Sequence, residues 1–130
     1  MADAPHPVDS EFYLPAGQFF PAQRHVALTY DDGPAPATPE LLETLRRYRA
    51  PATFYMIGDY VTRYPESVER VAAEGHEIGS HTMSHPDLRT LSPKKVRAQV
   101  LDAARLISDR TGEPVLSFRP PYGAIDAKRL

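Results

Sequence analysis

The chain has 130 residues, 42% hydrophobic and 25% charged, with a formal net charge of −2. That is ordinary for a soluble globular protein, and the length allows one domain at most, with room for a real core. The charge balance gives no basic footprint for nucleic acid. No run of 18 apolar residues spans a membrane, and the lack of cysteine excludes disulfides and thiolate ligands while leaving the redox compartment open.

Residues 1–24 are Pro-rich and weakly periodic, with an aromatic-bearing stretch from Phe12 to Phe20. They read as an irregular lead or a short edge element. Met1 to Ser10 show neither a basic n-region nor an apolar h-region, so no signal peptide is written here. A chain that begins after a removed signal would look the same.

A repeating unit follows. His25 to Tyr30 reads as a buried strand, ended by Asp31-Asp32 and a Gly33-Pro34 break. Thr38-Pro39 predicts a helix cap with Pro in the first turn, and Leu41, Leu42, Leu45 and Tyr48 recur at helical spacing. Ala52 to Ile57 is β-branched and aromatic, the pattern of a second strand. Pro65 opens a second helix with Val68, Val71 and Ala72 inward, and Gly75 stands where a left-handed end residue belongs. His76 to Ser80 predicts a third strand delivering His81. Ser92-Pro93 repeats the cap signal before Val96, Val100, Ala103, Ala104 and Ile107, closed by Thr111-Gly112. Val115 to Phe118 predicts a fourth strand leading into Arg119-Pro120-Pro121-Tyr122-Gly123. Asp126 to Leu130 resembles a capped helix just beginning. Four parallel strands without cover on the last edge would leave backbone groups unpaired, so the expectation is a piece of a larger fold.

The order βαβαβαβ predicts parallel strands with helices outside. In such sheets the chemistry sits at the C-terminal ends of strands. Asp31-Asp32, His81 and Arg119 all fall at predicted strand ends, on one edge. Carboxylates at the end of a buried strand need a metal, a cation or hydrogen bonds to offset their desolvation. His81 and His85, at i and i+4, can converge on one ion. Asp plus two His is a ligand set that leaves positions open on a Zn²⁺-like ion, without excluding Co²⁺, Mn²⁺ or Ni²⁺. The spare carboxylate is then a candidate general base. Taken singly, each signal has a plainer reading: Asp before Gly-Pro suits a turn, and two His four apart are often just solvated. Their coincidence on one edge favours the metal site. Arg119 offers a guanidinium fork that would hold and aim Asp31, and the stiff Pro-Pro loop can present a backbone N–H to a developing oxyanion. His25 and His76 read as packing or surface residues, Glu74 and Glu77 as solvated.

The runs Thr29-Tyr30-Asp31-Asp32-Gly33-Pro34, His81-Thr82-Met83-Ser84-His85-Pro86 and Arg119-Pro120-Pro121-Tyr122-Gly123 together resemble three motifs of the polysaccharide deacetylases, also called carbohydrate esterase family 4 or the NodB-homology domain. The resemblance covers about residues 24–130, with Tyr30 where Phe is more usual. It implies an α/β fold, a distorted (β/α) barrel of which this chain supplies roughly the N-terminal half, with 25–130 as a truncated NodB-homology domain. It implies a divalent metal, Zn²⁺ by preference, and hydrolytic removal of N- or O-acetyl groups from a polysaccharide: peptidoglycan, chitin oligomers or acetylated xylan. By the resemblance, Asp31 is the general base, Asp32, His81 and His85 the metal ligands, Arg119 the residue that orients Asp31, and the Tyr122 N–H an oxyanion donor. The family's fourth motif, with its Asp-Trp, and its fifth, the Leu-x-His that supplies the general acid, are absent; no Trp occurs and no His follows His85.

Three expectations follow. The parent protein is a metal-dependent deacetylase, secreted or in the cell wall where such polymers lie. The 130-residue chain alone is weakly active or inactive; a second reading is a fragment needing a partner, its missing strands supplied by a second chain of a nicked protein or by another copy. Alternatively, it is a non-catalytic fragment that holds metal and sugar without cleaving.

Overall fold

A computed structural model describes residues 26–124. Its strands are β1 (Thr29–Gly33), β2 (Thr53–Met56) and β3 (Glu77–Ser80); its helices are α1 (Thr38–Tyr48), α2 (Gly58–Arg63), α3 (Pro65–Ala73) and α4 (Pro93–Thr111). The strands form one parallel sheet in the order β1-β2-β3. Parallel pairing requires crossovers, and the helices between strands supply them. The expected lead of residues 1–24 and the helix beginning near Asp126 lie outside the described residues.

The helical stripes of the sequence become the core. Leu42 and Leu45 of α1, Val68 and Val71 of α3, and Ile107 of α4 pack with Phe54 of β2. Burial of each such side chain is worth roughly 1.5–3 kcal/mol. Tyr48, expected on the inner face of α1, is instead exposed beside Arg47. The caps of α4 follow the sequence: Ser92 Oγ accepts from the Lys95 N–H at 3.4 Å, and Gly112 closes the helix at φ 75°. At α1 the expected Thr38 cap moves by one residue. Ala37 holds the cap position, and Thr38 Oγ1 accepts from the Ala35 N–H at 2.9 Å.

The first strand differs from its sequence reading in position and in burial. It runs Thr29–Gly33 rather than 25–30, and Val26 and Leu28 are exposed. The cause is register. Tyr30 pairs with Phe54 and Gly33 with Met56, so β1 carries one extra residue across Asp31-Asp32. Such a bulge bends a strand and re-aims its side chains. Asp32 adopts φ 65° within it.

Val115 to Phe118 makes only one parallel bridge, Ser80 to Phe118, instead of a full strand. The Ser80 N–H donates to Ser117 O at 2.9 Å and the Arg119 N–H to Ser80 O at 2.9 Å. Pro120 and Pro121 follow with no N–H to continue the ladder. Helix α2 has no counterpart in the sequence reading. Its first two amides, from Gly58 and Asp59, donate to the carbonyls of Thr82 (3.0 Å) and Met83 (2.9 Å), which ties it to the histidine loop.

Glu74 and Glu77 are not solvated as expected. Glu74 pairs with Arg70 at 2.6 Å. Glu77 accepts from Thr53 Oγ1 at 3.3 Å and from Ser117 Oγ at 3.2 Å, stitching β2, β3 and the 117 segment together. His76 packs against Phe54 and accepts the Ala52 N–H at Nδ1, 3.3 Å. Its burial holds its pKa below the usual histidine value of 6.5.

Candidate metal centre

The bulge in β1 sends two neighbouring carboxylates to different partners. Asp31 Oδ1 accepts from Arg119 Nη1 at 2.7 Å, and the same nitrogen donates to Thr29 Oγ1 at 2.9 Å. The guanidinium also lies over the Tyr55 ring, 4.1 Å from its centroid, in cation–π contact. Asp32 faces the histidines instead: its Oδ1 stands 3.4 Å from His81 Nε2 and 3.1 Å from His85 Nε2.

His81 is buried at the end of β3, and its N–H donates to Met56 O at 2.9 Å. His85 is reached through a loop, in which Thr82 has φ 73° and His85 φ 60°. The buried Thr82 closes that loop, its Oγ1 accepting from the His85 N–H at 3.0 Å. Gln99 of α4 pins its middle: Oε1 accepts from the amides of Met83 and Ser84, each at 3.0 Å, and Nε2 donates to Ser84 Oγ at 3.0 Å. The two imidazoles meet edge to face, 5.0 Å between centroids.

Hydrogen bonding at the far nitrogens decides what the near ones can do. His81 Nδ1 lies 2.7 Å from the carbonyl oxygen of Arg119. A carbonyl only accepts, so Nδ1 carries the proton. In neutral His81, Nε2 is therefore a bare acceptor aimed at a carboxylate, another acceptor. Such a pair calls for a cation between them, either a metal ion or the proton of an imidazolium. A partner that fixes the far nitrogen of a ligand histidine is the usual support of metal sites. The spacing also fits. Ligands at 2.0–2.1 Å around a tetrahedral Zn²⁺ stand about 3.3 Å apart, close to the 3.4 and 3.1 Å measured here. One ligand atom each from Asp32, His81 and His85 lies within 4.8 Å of the others.

Tyr122 sits in the turn Pro121–Gly123 at φ 59°. The backbone bonds of that turn run from the Gly123 N–H to Pro120 O and from the Ala124 N–H to Pro121 O, and neither engages the Tyr122 N–H. Its phenol is a contact that sequence reasoning missed, 3.2 Å from His85 Nδ1. The supports from Tyr55, Thr82 and Gln99 were missed as well. All are ordinary residues in ordinary patterns, identifiable only by what folding places beside them.

A sequence model of the family described as polysaccharide deacetylase matches residues 21–130. The chain belongs to the polysaccharide deacetylase family. It is 47% identical over 102 residues to a chitooligosaccharide deacetylase of Bradyrhizobium sp., a match covering 77% of this chain and 47% of that protein. It superposes on the peptidoglycan deacetylase PdaC from Bacillus subtilis with a TM-score of 0.79 at 41% identity, covering 85% of this chain and 55% of that one. It superposes on a domain of a multidomain xylanase from the hindgut metagenome of Trinervitermes trinervoides with a TM-score of 0.76 at 35% identity, covering 79% and 51% respectively. The chain spans 23% to 49% of the length of the curated relatives it matches. The three-stranded parallel sheet therefore matches part of the family's domain.

Proposed function

We propose that the protein containing this chain is a metal-dependent deacetylase of an acetylated polysaccharide, with this chain forming part of a distorted (β/α) barrel. The observation that carries the reading is the His81 tautomer: with Nδ1 committed to the Arg119 carbonyl, Nε2 and Asp32 Oδ1 face each other as acceptors across a cation-sized gap. Asp32, His81 and His85 would hold a divalent ion, Zn²⁺ by preference, and the ion when bound would polarise an acetyl carbonyl and acidify water.

The chain's own residues take the remaining roles. Asp31 accepts the proton of the attacking water, aimed by Arg119 at 2.7 Å. The Tyr122 N–H, left unengaged by its turn, donates to the oxygen that gains charge. By the family pattern a histidine of a Leu-x-His motif protonates the leaving nitrogen or oxygen, and no histidine follows His85 in the sequence, so we assign that step to a group outside this chain. General acids contribute typically ~10²–10⁴-fold, so the 130-residue chain alone is expected to release acetate weakly or not at all. The substrates named for its relatives are chitooligosaccharide and peptidoglycan. Peptidoglycan is a cell-wall polymer, and action on it would put the protein at the cell wall or outside the cell.

The test is acetate release by the complete protein from chitin oligomers, peptidoglycan and acetyl-xylan with defined metals. Asp31→Asn is expected to lower kcat by roughly 10²–10⁴-fold while zinc still binds. Full activity in that variant overturns the role of Asp31. Chelator-resistant turnover overturns the metal reading. A chain that binds zinc and glycan without cleaving in any complete form supports the non-catalytic alternative.

A further inference from the structure

The two histidines of the metal centre are supported differently. His81 Nδ1 is held by a backbone carbonyl at 2.7 Å. His85 Nδ1 is held by the phenol of Tyr122 at 3.2 Å, with the tyrosine ring against the imidazole, 4.8 Å between centroids and 69° between planes. We propose that the Tyr122 side chain is a positioning residue for the metal ligand His85, separate from any role of its backbone amide. The proposal rests on the reading of Asp32, His81 and His85 as metal ligands.

Three observations carry it. First, Tyr122 is 72% exposed, so burial of its ring does not explain where it points; the contacts with His85 do. Second, its backbone occupies the left-handed region at φ 59°, unfavourable for a bulky side chain unless its surroundings hold it there. Third, both supports come from one short run, Arg119 through its carbonyl and Tyr122 through its hydroxyl, so a single rigid Pro-Pro segment sets both rings. With the Tyr122 oxygen accepting the Nδ1 proton, His85 Nε2 presents its lone pair toward Asp32 Oδ1, 3.1 Å away. A hydroxyl both donates and accepts, unlike a carbonyl. Tyr122 can therefore hold His85 in either tautomer, while Arg119 O holds His81 in one.

The experiment measures zinc affinity of the complete protein containing this chain by competition with a chromophoric chelator, for wild type, Tyr122→Phe and Tyr122→Leu. Removing such a ligand-supporting partner typically lowers metal affinity by about 10–100-fold, and that loss is expected in both variants. The Phe variant keeps the ring and removes one oxygen, so the metal-free melting temperature should stay put. Nitrogen-15 shifts of the His85 imidazole should move and those of His81 should not. Wild-type affinity in the Phe variant overturns the inference, as does a loss confined to the Leu variant, which assigns the effect to ring packing. Wild-type complete protein that binds no zinc removes the metal reading and the inference with it.

Discussion

Gly79→Ala is expected to damage both stability and the sheet edge that carries Asp31 and Arg119, because the space beside Gly79 is already taken. Gly79 pairs with Tyr55 across β2 and β3. A Cβ on Gly79 would lie 2.5 and 2.6 Å from Tyr55 ring carbons and 2.7 Å from Ser117 Oγ. Ordinary contact begins at 3.4 Å, so the ring must retreat by close to ~1 Å in a packed interior. Overpacking of this kind costs about 1–3 kcal/mol. For a chain between the 60–100 and 150–250-residue ranges each kcal/mol moves the melting temperature by roughly 3–6 °C, so a fall on the order of 3–18 °C is expected. The same ring carries the Arg119 guanidinium at 4.1 Å, and Arg119 carries Asp31, so the shift reaches the proposed base. Thermal melts of Gly79→Ala, Tyr55→Leu and the double variant form the assay. If the clash is real, the pair is non-additive, because Leu vacates the space the methyl needs, with a coupling of roughly 0.5–3 kcal/mol. A Gly79→Ala melt indistinguishable from the parent, or strict additivity, refutes the reasoning.

Gln99→Leu should free the histidine loop, since two amides and one hydroxyl lose their partner. Amide exchange at Met83 and Ser84 should accelerate, and stability should fall by about 1–2 kcal/mol, whereas Gln99→Glu, which keeps an acceptor, should fall less. His76 should make stability pH-dependent. Its folded pKa is held below 6.5 by burial, so the unfolded chain binds the proton more readily and stability drops as pH falls through that value and below. Comparing melting temperatures at pH 7.5 and 5.5 for wild type and His76→Asn should show the smaller drop in the variant; equal drops count against it. Zinc at a hundredfold excess over its dissociation constant should stabilise the chain by about 2.7 kcal/mol, a gain erased by chelator and absent in Asp32→Ala.

The Asp32, His81 and His85 cluster was legible because its information is local. Asp31-Asp32 and the His81/His85 pair each announce themselves within six residues, and strand-end placement brings them together. Helix ends were legible for the same reason: Ser92, Pro65 and Gly112 act on their nearest neighbours. What sequence hid was contact at a distance. Glu77 looks like any surface acid until Ser117, forty residues on, donates to it. Gln99 sits between Ala98 and Val100 on α4 with nothing in its periodicity to mark it as the clasp of a loop fifteen residues earlier. The start of β1 was misplaced because apolar residues from Val26 onward suggest a buried strand, while pairing with β2 begins only at Thr29. Helix α2 is six residues opening on glycine, too short for a periodic signal.

The extra residue in β1 has a consequence for how the site tolerates change. Side chains normally alternate across a strand, and the irregular register at Asp31-Asp32 hands one acid to a guanidinium and the other to two imidazoles. Chemically identical neighbours are thereby made non-substitutable: neither can stand in for the other by swinging a side chain. Shortening the strand by one position would merge two jobs into one, so this motif should accept a changed aromatic at Tyr30 far more readily than any change in length.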